Sequence, residues 1–124
     1  MKILVVDDSK LARMAVAKIL GAVQPGWTRI EAANADEALE KVKAENPDVA
    51  VFDFNMPGRD GLALAAEVRA LRPALQVAVI SANHQQEVID RAHAVGAVFL
   101  SKPLTEGAFR EFVAIAKAHP KASS

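Results

Sequence analysis

Five short apolar runs alternate with five stretches of helical periodicity along this chain, and this alternation constrains the fold more than any other feature. A continuous apolar run such as residues 3–6 (ILVV) is typical of a strand covered on both faces. Strands that alternate with helices form a parallel sheet with right-handed crossovers and helices on both sides. The sequence therefore predicts a doubly wound α/β domain, (βα)5, with a five-stranded parallel sheet.

The predicted elements follow one another without a linker or a repeat. We expect strands at 3–6, 28–32, 48–53, 76–81 and 97–100, and helices at 11–20, 34–46, 61–71, 85–95 and 105–117. Asn34 followed by Glu37 resembles a capping box, and Gly96 is a favourable helix stop. A chain of 124 residues fits one domain. We place this domain at 1–120, with a frayed tail at 121–124.

Composition excludes several classes of protein. The chain has 15 Lys and Arg residues against 15 Asp and Glu residues, so it lacks the basic excess of a dedicated nucleic-acid binder. It has no cysteine and hence neither a disulfide framework nor a thiolate metal site. Its apolar runs are far shorter than the roughly 20 residues of a membrane span. The first acidic residue, Asp7, comes too early in the chain for a signal peptide. We therefore expect a cytoplasmic protein that binds neither nucleic acid nor membranes.

Reactive side chains stand where the predicted strands end. Asp7 and Asp8 follow the first strand, and Asp53 ends the third. Ser81 ends the fourth strand, and Lys102 follows the fifth. In open parallel sheets, ligands bind at the carboxyl ends of the strands, near the point where strand order reverses. We therefore expect three acids, a hydroxyl and an ammonium to meet at one edge of the sheet.

This set of side chains favours phosphoryl chemistry with a hard cation. Three ionised carboxylates and one lysine carry a local charge of about −2, and the carboxylates raise one another's pKa unless a cation intervenes. Oxygen ligands without His or Cys suit Mg²⁺ or Mn²⁺. Asp53 is the candidate nucleophile, because a carboxylate can accept a phosphoryl group. The metal, Lys102 and Ser81 could then each meet one phosphoryl oxygen.

Four short motifs carry a resemblance to a known family. They are VVDDS at 5–9, DFNMPGRDG at 53–61, SA at 81–82 and KP at 102–103, in order along the five units. With them, essentially the whole chain resembles a response-regulator receiver domain of two-component signalling, of the CheY-like single-domain type. The resemblance implies a flavodoxin-like fold with strand order 2-1-3-4-5.

The resemblance also implies a role for each matching residue. Asp53 would be the phosphoacceptor, and the metal would be held by Asp7, Asp8, Asp53 and the main-chain carbonyl of Asn55. Ser81 and Lys102 would contact the phosphoryl group.

Further positions match the family's conformational and kinetic features. Ser81 and Phe99 fall at the switch positions, although Phe99 lacks the phenol hydroxyl of the commoner Tyr. Asn55 and Asn83 would border the water that hydrolyses the aspartyl-phosphate. The Lys102–Pro103 peptide would be cis.

The implied function is that of a stand-alone, non-enzymatic signalling module. It would receive a phosphoryl group on Asp53 from a histidine kinase or phosphotransfer protein. It would then bind a target protein on the face of helix 4, strand 5 and helix 5, and a phosphatase is a further partner. The alternatives are a phosphoryl shuttle or sink, an aspartyl-phosphate phosphohydrolase and a flavodoxin-like electron carrier. Asn55 disfavours the phosphohydrolase, because such enzymes typically carry a second acid there.

Simpler interpretations of the same residues remain open at this point. Asp7, Asp8 or Ser9 could serve only to cap the first helix. Asp53 and Ser81 could be turn residues, and Lys102 could be a solvated loop lysine. Phe99 could be a fixed core residue rather than a switch.

Overall fold

A five-stranded parallel sheet with helices on both sides forms the domain. The structure is a computed structural model in which residues 1–56, 60–82 and 85–118 are described. Within these ranges the strands are β1 (Lys2–Val6), β2 (Thr28–Ala32), β3 (Val49–Asp53), β4 (Gln76–Ser81) and β5 (Val98–Ser101). The helices are α1 (Lys10–Val23), α2 (Ala35–Glu45), α3 (Gly61–Leu71), α4 (Gln86–Ala94) and α5 (Glu106–Ala118). The strand order is β2-β1-β3-β4-β5. The predicted alternation, fold class and strand order are confirmed, and the predicted tail at 121–124 lies outside the described residues.

The apolar strands are buried because each sheet face has its own core. In β1, Leu4 and Val6 join the cluster under α2, α3 and α4. Ile3 and Val5 join the opposite cluster, to which α1 and α5 contribute. Successive side chains of a strand point to opposite faces, so a strand between two helical layers must be apolar at every position. Burying each large side chain stabilises the fold by roughly 1.5–3 kcal/mol.

Side-chain caps begin four of the five helices. Ser9, Asn34, Asp60 and Thr105 accept backbone N–H bonds from the first turns of α1, α2, α3 and α5 respectively. The predicted pairing of Asn34 with Glu37 forms, because the Asn34 side chain also donates to the Glu37 carboxylate. In α4 the N-cap residue, Gln85, makes no side-chain capping bond.

The carboxyl end of α4 is fixed more firmly than its start. Gly96 has φ +78°, a left-handed conformation that glycine adopts without strain. Its N–H bonds to the His93 carbonyl, and the Ala97 N–H bonds to the Ala92 carbonyl, which together form a Schellman motif. Gly96 also leaves room for the Arg69 side chain of α3, because a Cβ there would lie 2.7 Å from Arg69 Nε.

One helix is longer than predicted. The sequence indicates an end near Leu20, whereas α1 continues to Val23. Gly21 does not stop the helix, because a single exposed glycine costs only about 1 kcal/mol relative to alanine. Pro25 follows directly after the C-cap residue Gln24.

Candidate functional site

Strand order places the candidate site between β1 and β3. The chain runs from β1 outward to β2 and then returns to the other side of β1 as β3. The crevice at such a reversal is where open α/β sheets bind ligands. Asp7 directly follows β1, and Asp53 is the last residue of β3.

Three carboxylates meet in this crevice. Asp7, Asp8 and Asp53 each offer an oxygen atom, and these atoms lie within 4.8 Å of one another. Asp7 is 7% exposed and Asp53 is 5% exposed, whereas Asp8 faces solvent. The described residues that meet here offer only carboxylate oxygens, which suit Mg²⁺ or Mn²⁺ rather than a softer metal.

The aspartates are not needed to cap α1. That cap is the Ser9 side chain, which accepts from the Ala12 N–H at 3.2 Å. The Ser9 N–H in turn donates to Asp7 Oδ1 at 2.9 Å and thereby orients the Asp7 carboxylate. The capping interpretation therefore applies to Ser9, and both acids remain available for the crevice.

Asp7 is an acid in an unfavourable place. Burial raises the pKa of its carboxyl, the nearby Asp53 and Asp8 carboxylates raise it further, and the Ser9 hydrogen bond and Lys102 oppose the rise. The ionised form is thus destabilised by desolvation first and by like charge second. A bound cation would relieve both effects.

Lys102 reaches the proposed phosphoacceptor. Its Nζ lies 2.7 Å from Asp53 Oδ1, and its side chain is 37% exposed. This contact is an ion pair. Among the described residues, none donates a hydrogen bond to the buried Asp53 Oδ1. A buried carboxylate oxygen without a hydrogen-bond donor is suited to a metal ion or a transferred group.

The loop that carries Lys102 is fixed to β4. The Lys102 N–H donates to the Ser81 carbonyl at 3.0 Å. The Lys102–Pro103 peptide is cis, the isomer that the resemblance implies.

The remaining predicted residues lie in different environments. Asp53 pairs in register with Ile80, so Ser81 comes one residue further along the neighbouring strand, where it is buried. Asn55 is exposed two residues beyond Asp53. Phe99 is partly buried against the cluster under α2, α3 and α4. Asn83 lies outside the described residues.

Sequence reasoning missed Gly61, the first residue of α3. Its N–H donates to the Phe54 carbonyl at 2.9 Å. A Cβ at this position would lie only 2.3 Å from the main-chain oxygen of Asp53. Only glycine therefore lets α3 begin directly against the end of β3. The Asp-Gly pair at 60–61 is the available signal, but it is also typical of an ordinary turn.

The fold and this crevice match a known family. A sequence model of the response regulator receiver domain matches residues 3–114, and the chain belongs to this family. Receiver domains are signalling modules that bind Mg²⁺ at an acidic pocket and interact with histidine kinases and downstream effectors. They switch between states when they are phosphorylated. The Asp7, Asp8 and Asp53 cluster lies where such a pocket is expected.

Individual relatives support this assignment. The chain is 36% identical over 104 residues to the chemotaxis protein CheY of Bacillus subtilis, which covers 82% of this chain and 85% of that protein. It is 33% identical over 106 residues to the transcriptional regulatory protein PdtaR of Mycobacterium tuberculosis, covering 84% of this chain and 50% of that protein. The solved structure of the chemotaxis protein CheY4 of Vibrio cholerae has a TM-score of 0.83 and 28% identity, covering 93% of this chain and 97% of that chain.

Two further observations concern the length of the chain and its helices. The chain spans about half the length of several of the curated relatives that it matches. Within the described residues, each helix is too short or too polar to cross a membrane.

Proposed function

We propose that Asp53 accepts a phosphoryl group from a phosphohistidine and that this modification controls binding of a partner protein. The observation that carries the proposal is the position of Asp53. Its carboxylate is buried at the end of β3, 2.7 Å from an ammonium and beside two further carboxylates. A phosphoacceptor needs this combination of a nucleophilic carboxylate, a cation and a metal site.

The phosphoryl group would move directly from the donor phosphohistidine to Asp53. An Asp53 carboxylate oxygen attacks phosphorus, and the phosphorus–nitrogen bond of the donor breaks. The donor ring carries a proton on its other nitrogen, so the electron pair of the broken bond stays on the ring nitrogen and the histidine leaves as neutral imidazole. Lys102 neutralises charge on the transferred group, and the Ser81 hydroxyl donates to one of its oxygens.

A divalent ion fits the acidic crevice. Asp7, Asp8, Asp53 and the main-chain carbonyl of Asn55 would hold Mg²⁺ or Mn²⁺. The ion would supply positive charge between the carboxylates and the phosphoryl oxygens. Such charge would offset the repulsion between these carboxylates and an incoming anion.

Stoichiometric labelling tests the phosphoacceptor. The full chain is incubated with acetyl phosphate and Mg²⁺, and its mass is followed with time. We expect a gain of one phosphoryl group per chain that Asp53→Asn abolishes. The matched control is Asp60→Asn, which changes an acid in the same connection and keeps a side chain able to cap α3. Undiminished labelling of Asp53→Asn would refute the assignment, and turnover of many donor molecules per chain would favour a phosphohydrolase.

The proposed output surface comprises α4, β5 and α5. Phosphorylation adds roughly −1.5 to −2 charges and three acceptor oxygens at Asp53. Ser81 would move toward these oxygens, and Phe99 on the adjacent β5 would rotate into the space that this movement leaves. This rotation would reshape the surface that exposes His93 and Arg110.

Beryllofluoride with Mg²⁺, which mimics the phosphoryl group, tests this output. Backbone amide shifts are compared in wild type and Asp53→Asn. We expect shifts throughout residues 85–117 of the wild type alone. Wild-type shifts confined to the crevice and to the neighbours of Lys102 would show that this surface does not carry the signal.

A further inference from the structure

Arg13 of α1 bonds two residues that belong to different strand ends. Its Nη1 donates to the main-chain carbonyl of Asp7 at 2.5 Å, and its Nε donates to Glu31 Oε1 at 3.0 Å. The Arg13 side chain is only 15% exposed. The other Glu31 oxygen accepts from Arg29 Nε at 3.1 Å, so Glu31 is itself held in place. The guanidinium is thus oriented by a fixed carboxylate and directed at the backbone of the acidic crevice.

These contacts hold the Asp7 backbone on both sides. The Asp7 N–H donates to the Ala32 carbonyl at 3.2 Å, and the Asp7 carbonyl accepts from Arg13. That carbonyl belongs to the peptide plane that joins Asp7 to Asp8, and a peptide is planar. Fixing the carbonyl therefore fixes the direction in which the chain enters Asp8.

Asp8 depends on this backbone support more than its neighbours do. Asp7 is oriented by the Ser9 N–H, and Asp53 is paired with Lys102. Asp8 is exposed, and in the part of the chain that the structure describes no hydrogen bond to its carboxylate is found. Its place in the cluster is therefore set by the main chain.

The positive charge of Arg13 acts against metal binding, whereas its bond to the Asp7 carbonyl supports the site. A guanidinium near a cation site repels the cation and, by itself, weakens binding. The position and the charge of Arg13 thus predict opposite changes in metal affinity when the side chain is removed, which makes the two roles separable by experiment.

We propose that Arg13 is a positioning residue of the metal site, which holds the Asp7–Asp8 peptide through the Asp7 carbonyl so that the Asp8 carboxylate can reach the ion. This inference rests on the proposed function, since it assumes that the acidic cluster binds Mg²⁺. It assigns to α1 and Glu31 a part in metal binding, although neither offers a ligand to the ion.

The test is a direct Mg²⁺ titration followed by backbone amide signals, without a phosphodonor. The variants are Arg13→Gln and its matched control Arg29→Gln, which removes the same charge from the same network but has no contact with Asp7. Groups that orient metal ligands typically contribute roughly 10- to 100-fold to metal affinity. We expect Arg13→Gln to bind Mg²⁺ about tenfold more weakly than Arg29→Gln, with the largest amide change at Asp8.

Each outcome decides the proposal. If Arg13→Gln binds Mg²⁺ as tightly as Arg29→Gln or more tightly, the proposal is overturned, whatever the thermal stability of the variant. Arg13 would then affect only the charge near the site or the general stability of the fold. If Arg13→Gln fails to fold, Arg13→Lys decides, because it keeps the charge but cannot bridge Asp7 and Glu31 with a planar fork. We expect Arg13→Lys to bind about threefold more weakly than wild type, and wild-type affinity would overturn the proposal. Failure of the wild type itself to bind Mg²⁺, or equal binding by Asp53→Asn, would instead refute the proposed metal site.

Discussion

Replacing Gly61 by alanine should damage both the fold and the phosphoacceptor. The added Cβ would lie 2.3 Å from the Asp53 carbonyl oxygen and 3.1 Å from the Phe54 Cα. Ordinary carbon–oxygen contacts lie at about 3.3 Å or more, so α3 and the end of β3 must separate by roughly 1 Å. The atoms that block the methyl group belong to the backbone and cannot rotate away.

The size of the effect follows from two opposing terms. Overpacking typically costs roughly 1–3 kcal/mol, and alanine recovers up to about 1 kcal/mol through its helix preference. We expect a net loss of about 1–2 kcal/mol in the free energy of unfolding. Displacement of a reacting group by about 1 Å can lower a rate by up to 100-fold. We therefore expect labelling by acetyl phosphate to slow at least about tenfold.

Urea denaturation and the initial labelling rate at saturating Mg²⁺ measure the two effects. Gly21→Ala is the matched control, because Gly21 also lies in a helix and a Cβ there would meet no atom within 4 Å. This control should gain up to about 1 kcal/mol and keep the wild-type labelling rate. A Gly61→Ala protein that is as stable as wild type, or labelled as fast, would show that the close approach does not fix Asp53.

Two further predictions concern the charge and lifetime of the site. The pKa of Asp7 is raised in the folded chain, so the folded protein binds this proton more tightly than the unfolded chain does. The free energy of unfolding therefore falls as pH rises from the unfolded to the folded pKa of Asp7, and it stays lower above that range. Without divalent ions, Asp7→Asn should therefore unfold at a higher urea concentration than wild type at pH 7. This difference in unfolding midpoint should disappear in acid and become smaller when Mg²⁺ is added. A difference that does not depend on pH would contradict the prediction. Asn55 and Asn83 should orient the hydrolytic water without deprotonating it, so Asn55→Met and Asn83→Leu should each slow decay of the labelled protein; unchanged decay in both would show that neither position controls water access.

The fold is predictable from sequence because its main determinants are local. A strand buried on both faces must be apolar throughout, so the apolar runs at 3–6 and 77–80 predict strands by themselves. Helix ends are predictable where a cap or glycine marks them, as at Asn34 and Gly96. The end of α1 was missed, because one exposed glycine weakens a helix too little to stop it.

The site is predictable only in part, because some of its contacts join residues that local pattern does not relate. Asp7, Asp53 and Lys102 could be grouped because carboxyl ends of parallel strands share one edge. The approach of Gly61 to Asp53 joins the start of α3 to the end of β3, which no periodicity in the sequence relates. Arg13 lies on a helix beside exposed positions and resembles a solvated charge, so its bond to Asp7 could not be predicted.

The unequal attachment of α4 determines how a change at the phosphoacceptor could travel through the domain. The Schellman motif at Gly96 holds the carboxyl end of the helix. The side chain of Arg69, which donates to the Leu75 carbonyl at 2.7 Å, lies beside Gly96. The other end follows β4 and Ser81, and α4 begins at Gln86 after an N-cap residue, Gln85, that makes no side-chain capping bond. We therefore expect the first turn of α4 to move more readily than its carboxyl end. A small displacement beside Ser81 would then change the direction of the whole helix while its far end stays in place.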